Sequence, residues 1–484
     1  MRLQPFLQMS NRWQVGLIAL AIMVSLIAGA SPLLYVSPLS PLIVGGAVVA
    51  LVVGITLLCN PVLALYAAIL VIFLPSARGQ TPLAQLLDRM QAILNPSVTL
   101  IALVSWLLDV ITQRRRIAWT STTLLMLGFL IWGGVTLTWA PNLDYGLERL
   151  AQYVFRLLLF LLLVVNEINT KETLDGLMRV LAVNGWVLVL AGVGVLLFQG
   201  YVPGSRLRVL GMNQNEFGVM VLVTMPGVLW QVMQASERQK ALRMAQSIVF
   251  LLLAFLLVGL SGSRGSAISL LATLLAFWFW KPTRPWGKLG LLILTAAVIT
   301  APFVFSIIID RLFRAEVLEA GAGPLGGRWT IWQASWWIIR DHPWGGLGIG
   351  NASRVLASYV GSASSYFRGS VEMVSHNPIL QIWIETGTPG MLLYLSVLVS
   401  AVWLFVRQYR QYNKASSSYC VSYFALTPCV FVGTMLSWIK GGGMEFAPAY
   451  FLLLVLLLIP SRLQADRVDC TTRNRIQDVA MTRL

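Results

Sequence analysis

Three stretches of this chain concentrate the residues able to do chemistry. The sequence contains two histidines, His342 and His376. An unperturbed imidazole titrates at about pH 6.5, so it offers a usable base at neutral pH. His376 lies in "SHNPILQIWIETGTPG", where Asn377 followed by Pro378 reads as a helix N-cap and first-turn proline. Two roles fit His376 from its setting: a base beside a helix N-terminus, or a loop residue that supports the cap. His342, in "RDHPWGGLGIGN", reads as a turn former ahead of Pro343.

The other candidates are arginines, whose planar fork of donors suits phosphate better than the point charge of lysine. Arg328 opens "GRWTIWQASWWIIRDHPWGGLGIGN", in which Trp329, Trp332, Trp336 and Trp337 recur at helical spacing. That spacing predicts an aromatic face, suited first to the interfacial belt and second to a sugar platform. Arg328 either donates toward an anion or pairs with a loop carboxylate. Arg264 lies in "LSGSRGSAISLL" between two apolar runs, and Arg206 and Arg208 lie in "YVPGSRLRVLGMNQNEFG" with Asn213 and Asn215. Those asparagines suit either sugar hydroxyls or turns. The glycine run "GGLGIGN" is no nucleotide loop, because it lacks the lysine of a P-loop and the strand-loop-helix setting of a dinucleotide site.

The elements that must position these residues are read from composition. Of 484 residues, 57% are hydrophobic and 11% charged, with mean hydropathy +0.76, far below the roughly 25% charged residues of soluble domains. Apolar runs recur at 15–30, 41–58, 61–75, 98–111, 124–139, 153–165, 180–198, 217–233, 247–260, 266–280, 289–309, 390–406, 419–438 and 447–460. Most approach the ~20 residues that a helix needs to cross a bilayer. The expected fold is therefore all-α, a polytopic transmembrane helical bundle of 12–14 spans forming one integral membrane domain over 1–484. Non-alternating runs such as "LLLFLLLVV" exclude an outer-membrane barrel. The first run reads as a retained helix in preference to a signal peptide, given the spans that follow it. Cys59, Cys420, Cys429 and Cys470 show neither a disulfide framework nor zinc-site spacing.

Positively charged loops stay cytoplasmic. "QRRR", "SERQKALR", "KPTRPWGK" and "RQYRQYNK" fall on one side when the helices alternate, together with both termini and a tail over 461–484. The net charge of +16 thus reflects topology and is poor evidence for a nucleic-acid partner. On the outer side the basic residues are arginines apart from Lys440. One long extracytoplasmic segment, 310–389, is expected to carry short helices, and connections of that length are usually functional. Ser247 to Trp280 is shorter than the roughly 40 residues that two full spans and a turn require, so Arg264 is expected to turn below the outer surface. An arginine at that depth faces a cavity or snorkels. Gly262 and Gly265 permit an irregular turn, and Ser261, Ser263 and Ser266 satisfy freed backbone groups.

Taken together, "SGSRGS", "GRWTIWQASWWIIRDHPWGGLGIGN" and "SHNPILQIWIETGTPG", in that order over Arg206 to Val406, resemble the O-antigen ligase and polymerase superfamily. The resemblance implies an inverting, metal-independent glycosyltransferase with no cofactor. Its donor would be an undecaprenyl-diphosphate-linked glycan at the outer face of the inner membrane, and its acceptor a glycan or a lipid. Carried over, Arg264 and Arg328 would bind the diphosphate and His376 would act at the acceptor hydroxyl. Arg206 and Arg208 match a more variable basic position, and Asn215 and Asn377 complete the expected substrate-binding set. The motifs do not separate polymerase from ligase, which break the same donor bond and differ in acceptor; the reading leans toward a polymerase or exopolysaccharide assembly. A small-anion, bicarbonate-like transporter is the alternative from another class. It would need paired discontinuous helices and an internal repeat, and the sequence shows neither.

Overall fold

The structure is a computed structural model and describes residues 40–73, 82–199, 207–209, 212–280, 283–304, 328–363, 372–412, 418–440 and 447–462. Among these residues every regular element is helical. Among the described residues eight helices are long and apolar enough to cross a membrane, and shorter apolar helices accompany them. The protein is a polytopic all-α membrane protein. Every expected run from 41–58 to 447–460 overlaps a helix, whereas 15–30 lies outside the described residues.

The chain groups into two compact units, Met1–Ile72 with Arg89–Ala118, and Phe73–Asp88 with Trp119–Leu484. The first contains α1 (Ser40–Cys59), α2 (Pro61–Ile72) and most of α3 (Pro82–Thr112). Within it, Ser105 donates to the Leu58 carbonyl at 2.9 Å. Asp109, fully buried on α3, pairs with Arg115 at 3.1 Å.

The second unit begins with α4 (Ser121–Thr136), capped by Thr120, and α5 (Leu143–Arg156), capped by Asn142. Helix α5 continues through a π-helical stretch, Leu157–Val164, to Glu167. The helices α6 (Lys171–Gln199), α7 (Gln214–Met233), α8 (Glu237–Ser261), α9 (Arg264–Phe279) and α10 (Arg284–Val304) follow as up-and-down neighbours. Small residues let them approach closely, as expected where packing and not water drives helix association. A Cβ at Gly227 of α7 would strike the α6 backbone at Met178 and Ala182.

Next come α11 (Arg328–Asp341), α12 (Ala352–Ala363), α13 (Pro378–Tyr412), α14 (Ser418–Lys440) and α15 (Pro448–Leu458). Helix α13 is broken at Gly387, whose backbone (φ 65°, ψ −174°) is not helical. Pro378 therefore starts a short helix of little more than two turns before the long span. Where α13, α14 and α15 meet, Tyr394, Trp438 and Tyr450 stack with ring centroids 5.3 to 6.3 Å apart.

The segment from α11 to the short helix has a core of its own. Ile331, Ala334, Ile338 and Ile339 line one stripe of α11 and pack against Leu347, Leu356 and Val360, and against Ile384 of the short helix. Asn351 ties this substructure to the bundle: its amide accepts from Asn142 N at 2.9 Å and donates to Asn142 O at 3.1 Å. Arg354 adds a second tie, lying over the Tyr145 ring at 4.8 Å.

Candidate active site

The geometry around His376 starts from the cap. The Asn377 side chain accepts from Ile379 N at 3.0 Å and Leu380 N at 3.3 Å, satisfying donors that a helix start leaves orphaned. One residue earlier, Ser375 is fully buried and held at every polar atom. Its amide donates to Gln381 Oε1 (3.0 Å), its carbonyl accepts from Trp332 Nε1 (3.0 Å), and its hydroxyl donates to Asn377 O (2.7 Å) while accepting from Asn377 N (3.2 Å). Between these anchored neighbours His376 takes φ 51°, a left-handed conformation that side chains other than glycine rarely adopt. Strain of this kind persists only where surrounding structure over-determines it, and it clusters at functional sites.

His376 is partly buried. That burial, and secondarily the positive charge of Arg328, hold its imidazole below its ordinary pKa. Both effects disfavour imidazolium, so at neutral pH the ring is a neutral base. Arg328 is the first residue of α11, itself half-buried and within electrostatic reach of that ring. The structure thus brings Arg328 and His376 together, although 48 residues of chain, by their numbers, separate them.

A second group forms at the α8–α9 turn. Gly262, in a left-handed conformation (φ 65°), ends α8, and Ser263 caps α9 by accepting from Ser266 N. The Ser263 hydroxyl donates to Asn215 Oδ1 at 2.6 Å, and Leu207 N donates to Leu260 O at 3.2 Å. The start of α7 and the segment carrying Arg208 are thereby fastened to the turn from which Arg264 emerges. Arg264 is the first residue of α9; its side chain, and all of Arg206, lie outside the described residues. Arg208 is exposed. Among the described residues no hydrogen bond or ion pair links this group to the Arg328–His376 group.

Trp332 departs from the aromatic face expected of it. It turns inward to Ser375, and Trp329, Trp336 and Trp337 hold the exposed face. Trp336 meets Trp383 edge-on at 5.8 Å. His342 is exposed at the end of α11.

Sequence reasoning passed over the interior support. The Glu385 carboxylate, buried on the short helix, accepts from Gln381 Nε2 at 2.8 Å and from Gly350 N at 3.0 Å. Gly346, Gly348 and Gly350 all have positive φ. They fold "GGLGIGN" into a turn whose Leu347 N donates to Ile384 O (2.8 Å) and whose Ile349 N donates to Thr136 Oγ1 (3.1 Å). The available signal was an ionisable residue four positions from a glutamine in an apolar helix, a pattern that demands a partner. Arg156, half-buried where α5 becomes π-helical, carries the same signal and was likewise passed over.

Residues 249–395 match the family described as O-Antigen ligase, which supports assigning this chain to the O-antigen ligase and polymerase superfamily. The matched stretch includes the α8–α9 turn, α11, the glycine turn, His376 and the broken start of α13. No curated protein matches the chain.

Proposed function

From the O-antigen ligase domain at residues 249–395, we propose that this membrane protein is an inverting, metal-independent glycosyltransferase. It takes a glycan from an undecaprenyl-diphosphate carrier at the outer face of the inner membrane and passes it to a glycan or lipid acceptor. The observation that carries the reading is an Arg328 within electrostatic reach of a His376 kept neutral by burial and by that arginine. A neutral imidazole accepts a proton from an attacking hydroxyl, while a guanidinium stabilises a leaving diphosphate.

The acceptor oxygen forms a bond to the anomeric carbon as the bond from that carbon to the diphosphate oxygen breaks. The acceptor proton passes to His376, and the negative charge left on the diphosphate is held by Arg328 and Arg264. Arg264 enters this role through its place at the start of α9, next to a turn that Ser263 and Asn215 hold together. Arg206 and Arg208 supply further positive charge along the same segment, and Asn215 and Asn377 border the substrate. Both chain termini lie in the cytoplasm, which puts the segment 310–389 and its site on the outer face.

Deletion of the protein, followed by analysis of surface glycans and carrier-linked intermediates, tests the reading. Single repeat units accumulating on the carrier identify a polymerase, and long unattached chains identify a ligase. Unchanged glycans with no accumulated intermediate would overturn it.

A further inference from the structure

Toward the other end of α7, about 20–24 Å along its axis from Asn215, lies a cavity of about 260 Å³ between α6, α7 and α8. Two arginines reach it from different helices, Arg179 of α6 and Arg243 of α8, with Gln231 and Gln246 beside them. Neither arginine forms an ion pair among the described residues, and Arg243 donates to Gln246 at 3.2 Å. The nearby carboxylate of Asp175, one turn before Arg179, accepts from Trp230 Nε1 at 2.8 Å. The remaining wall is apolar at Ala182, Val183, Trp186 and Val228, with one hydroxyl residue, Ser247.

The depth of these residues orders the two kinds of lining. Arg243 lies roughly 9 Å from the start of α8 and Arg179 roughly 12 Å from the start of α6, while Trp186 lies about 10 Å deeper than Arg179. Cationic side chains thus surround the mouth at headgroup depth, and apolar ones continue toward the bilayer centre. A soluble anion would use the mouth and leave the apolar floor without a partner. An anionic phospholipid uses both, its phosphodiester on the two guanidinium forks and the top of an acyl chain along Val183 and Trp186. We infer that this cavity is a binding site for one anionic phospholipid, at the end of the bundle that also bears the basic loop Ser236–Arg243.

Native mass spectrometry of the full-length protein in mild detergent tests this, with phosphatidylglycerol titrated against phosphatidylethanolamine. One phosphatidylglycerol should be retained with a preference of roughly thirtyfold, from two basic side chains at ~1 kcal/mol each. The Arg179→Gln/Arg243→Gln protein should lose that preference. Val183→Trp, which fills the apolar floor and leaves the charge in place, should weaken retention of both lipids. Equal retention of the two lipids by the unaltered protein would overturn the inference, as would an unchanged preference in the double variant. Displacement of phosphatidylglycerol by millimolar inorganic phosphate would overturn it in favour of a soluble anion.

Discussion

Gly350 donates its backbone amide to Glu385 Oε2 at 3.0 Å, joining the glycine turn to the short helix that follows His376. The other carboxylate oxygen accepts from Gln381, and Gln381 in turn accepts from the amide of Ser375. A buried relay therefore runs from the glycine turn to the residue preceding the proposed base. Glu385→Gln retains the shape but presents an amide NH2 to one of two donors. Leaving a buried donor unmatched costs about 1–3 kcal/mol. The variant should lose that much stability in detergent melting and transfer glycan more slowly. Unchanged melting together with unchanged transfer would remove the relay from the account of how His376 is held.

The left-handed backbone at His376 separates folding from chemistry. Asparagine tolerates positive φ better than most residues and lacks a base of suitable pKa. His376→Asn should insert and melt like the parent protein while glycan transfer stops. His376→Ala should also stop transfer but should destabilise the turn. Normal polymer made by His376→Asn would place the base elsewhere.

The sequence showed the spans plainly, because a run of apolar residues at α7 or α15 can satisfy its backbone only as a helix inside hydrocarbon. It also showed the Asn377 cap and the Arg264 turn, since N-cap chemistry and glycine punctuation are local. What it did not show depends on partners distant in the chain. Spacing predicts Trp332 on an aromatic face, yet its indole N–H finds Ser375, 43 positions on by number. Sequence alone shows "GGLGIGN" only as something other than a phosphate loop. Its purpose becomes visible when Gly346 is seen against the backbone at Glu385 and Gly387, where a Cβ would have no room. The resemblance implied roles for Arg328 and His376, and their electrostatic coupling depends on the packing of α11 against α13.

The pH dependence follows from the sign of the His376 shift. Burial first, and Arg328 second, favour the neutral ring, so its titration lies below the usual histidine value. Transfer that needs the neutral base should be constant at neutral pH and decline only as the medium is acidified through that lowered pKa. Removing the Arg328 charge raises the titration toward its ordinary position. With His342 replaced by glutamine, His376 is the one remaining histidine of the two, so the pH dependence of its reaction with diethyl pyrocarbonate reports its titration directly. Arg328→Gln in that background should shift the midpoint upward. A midpoint that does not move would mean that the two side chains are not electrostatically coupled.

The arginines test whether the leaving group is held as a phosphate or merely as a negative charge. A guanidinium engages two phosphate oxygens through parallel N–H donors, whereas an ammonium offers a point charge. Loss of one preorganised donor at developing negative charge slows enzymes by ~10²–10³. Arg264→Ala and Arg328→Ala should therefore reduce glycan transfer by at least that factor with the protein still inserted. Arg264→Lys should fail nearly as badly, because Arg264 starts α9 immediately after a serine-capped turn and a lysine there keeps the charge but loses the fork. Transfer rates measured with purified carrier-linked donor distinguish the cases. Full activity in Arg264→Lys would assign that position a point-charge role, and normal polymer from both alanine variants would remove the diphosphate site from these two residues.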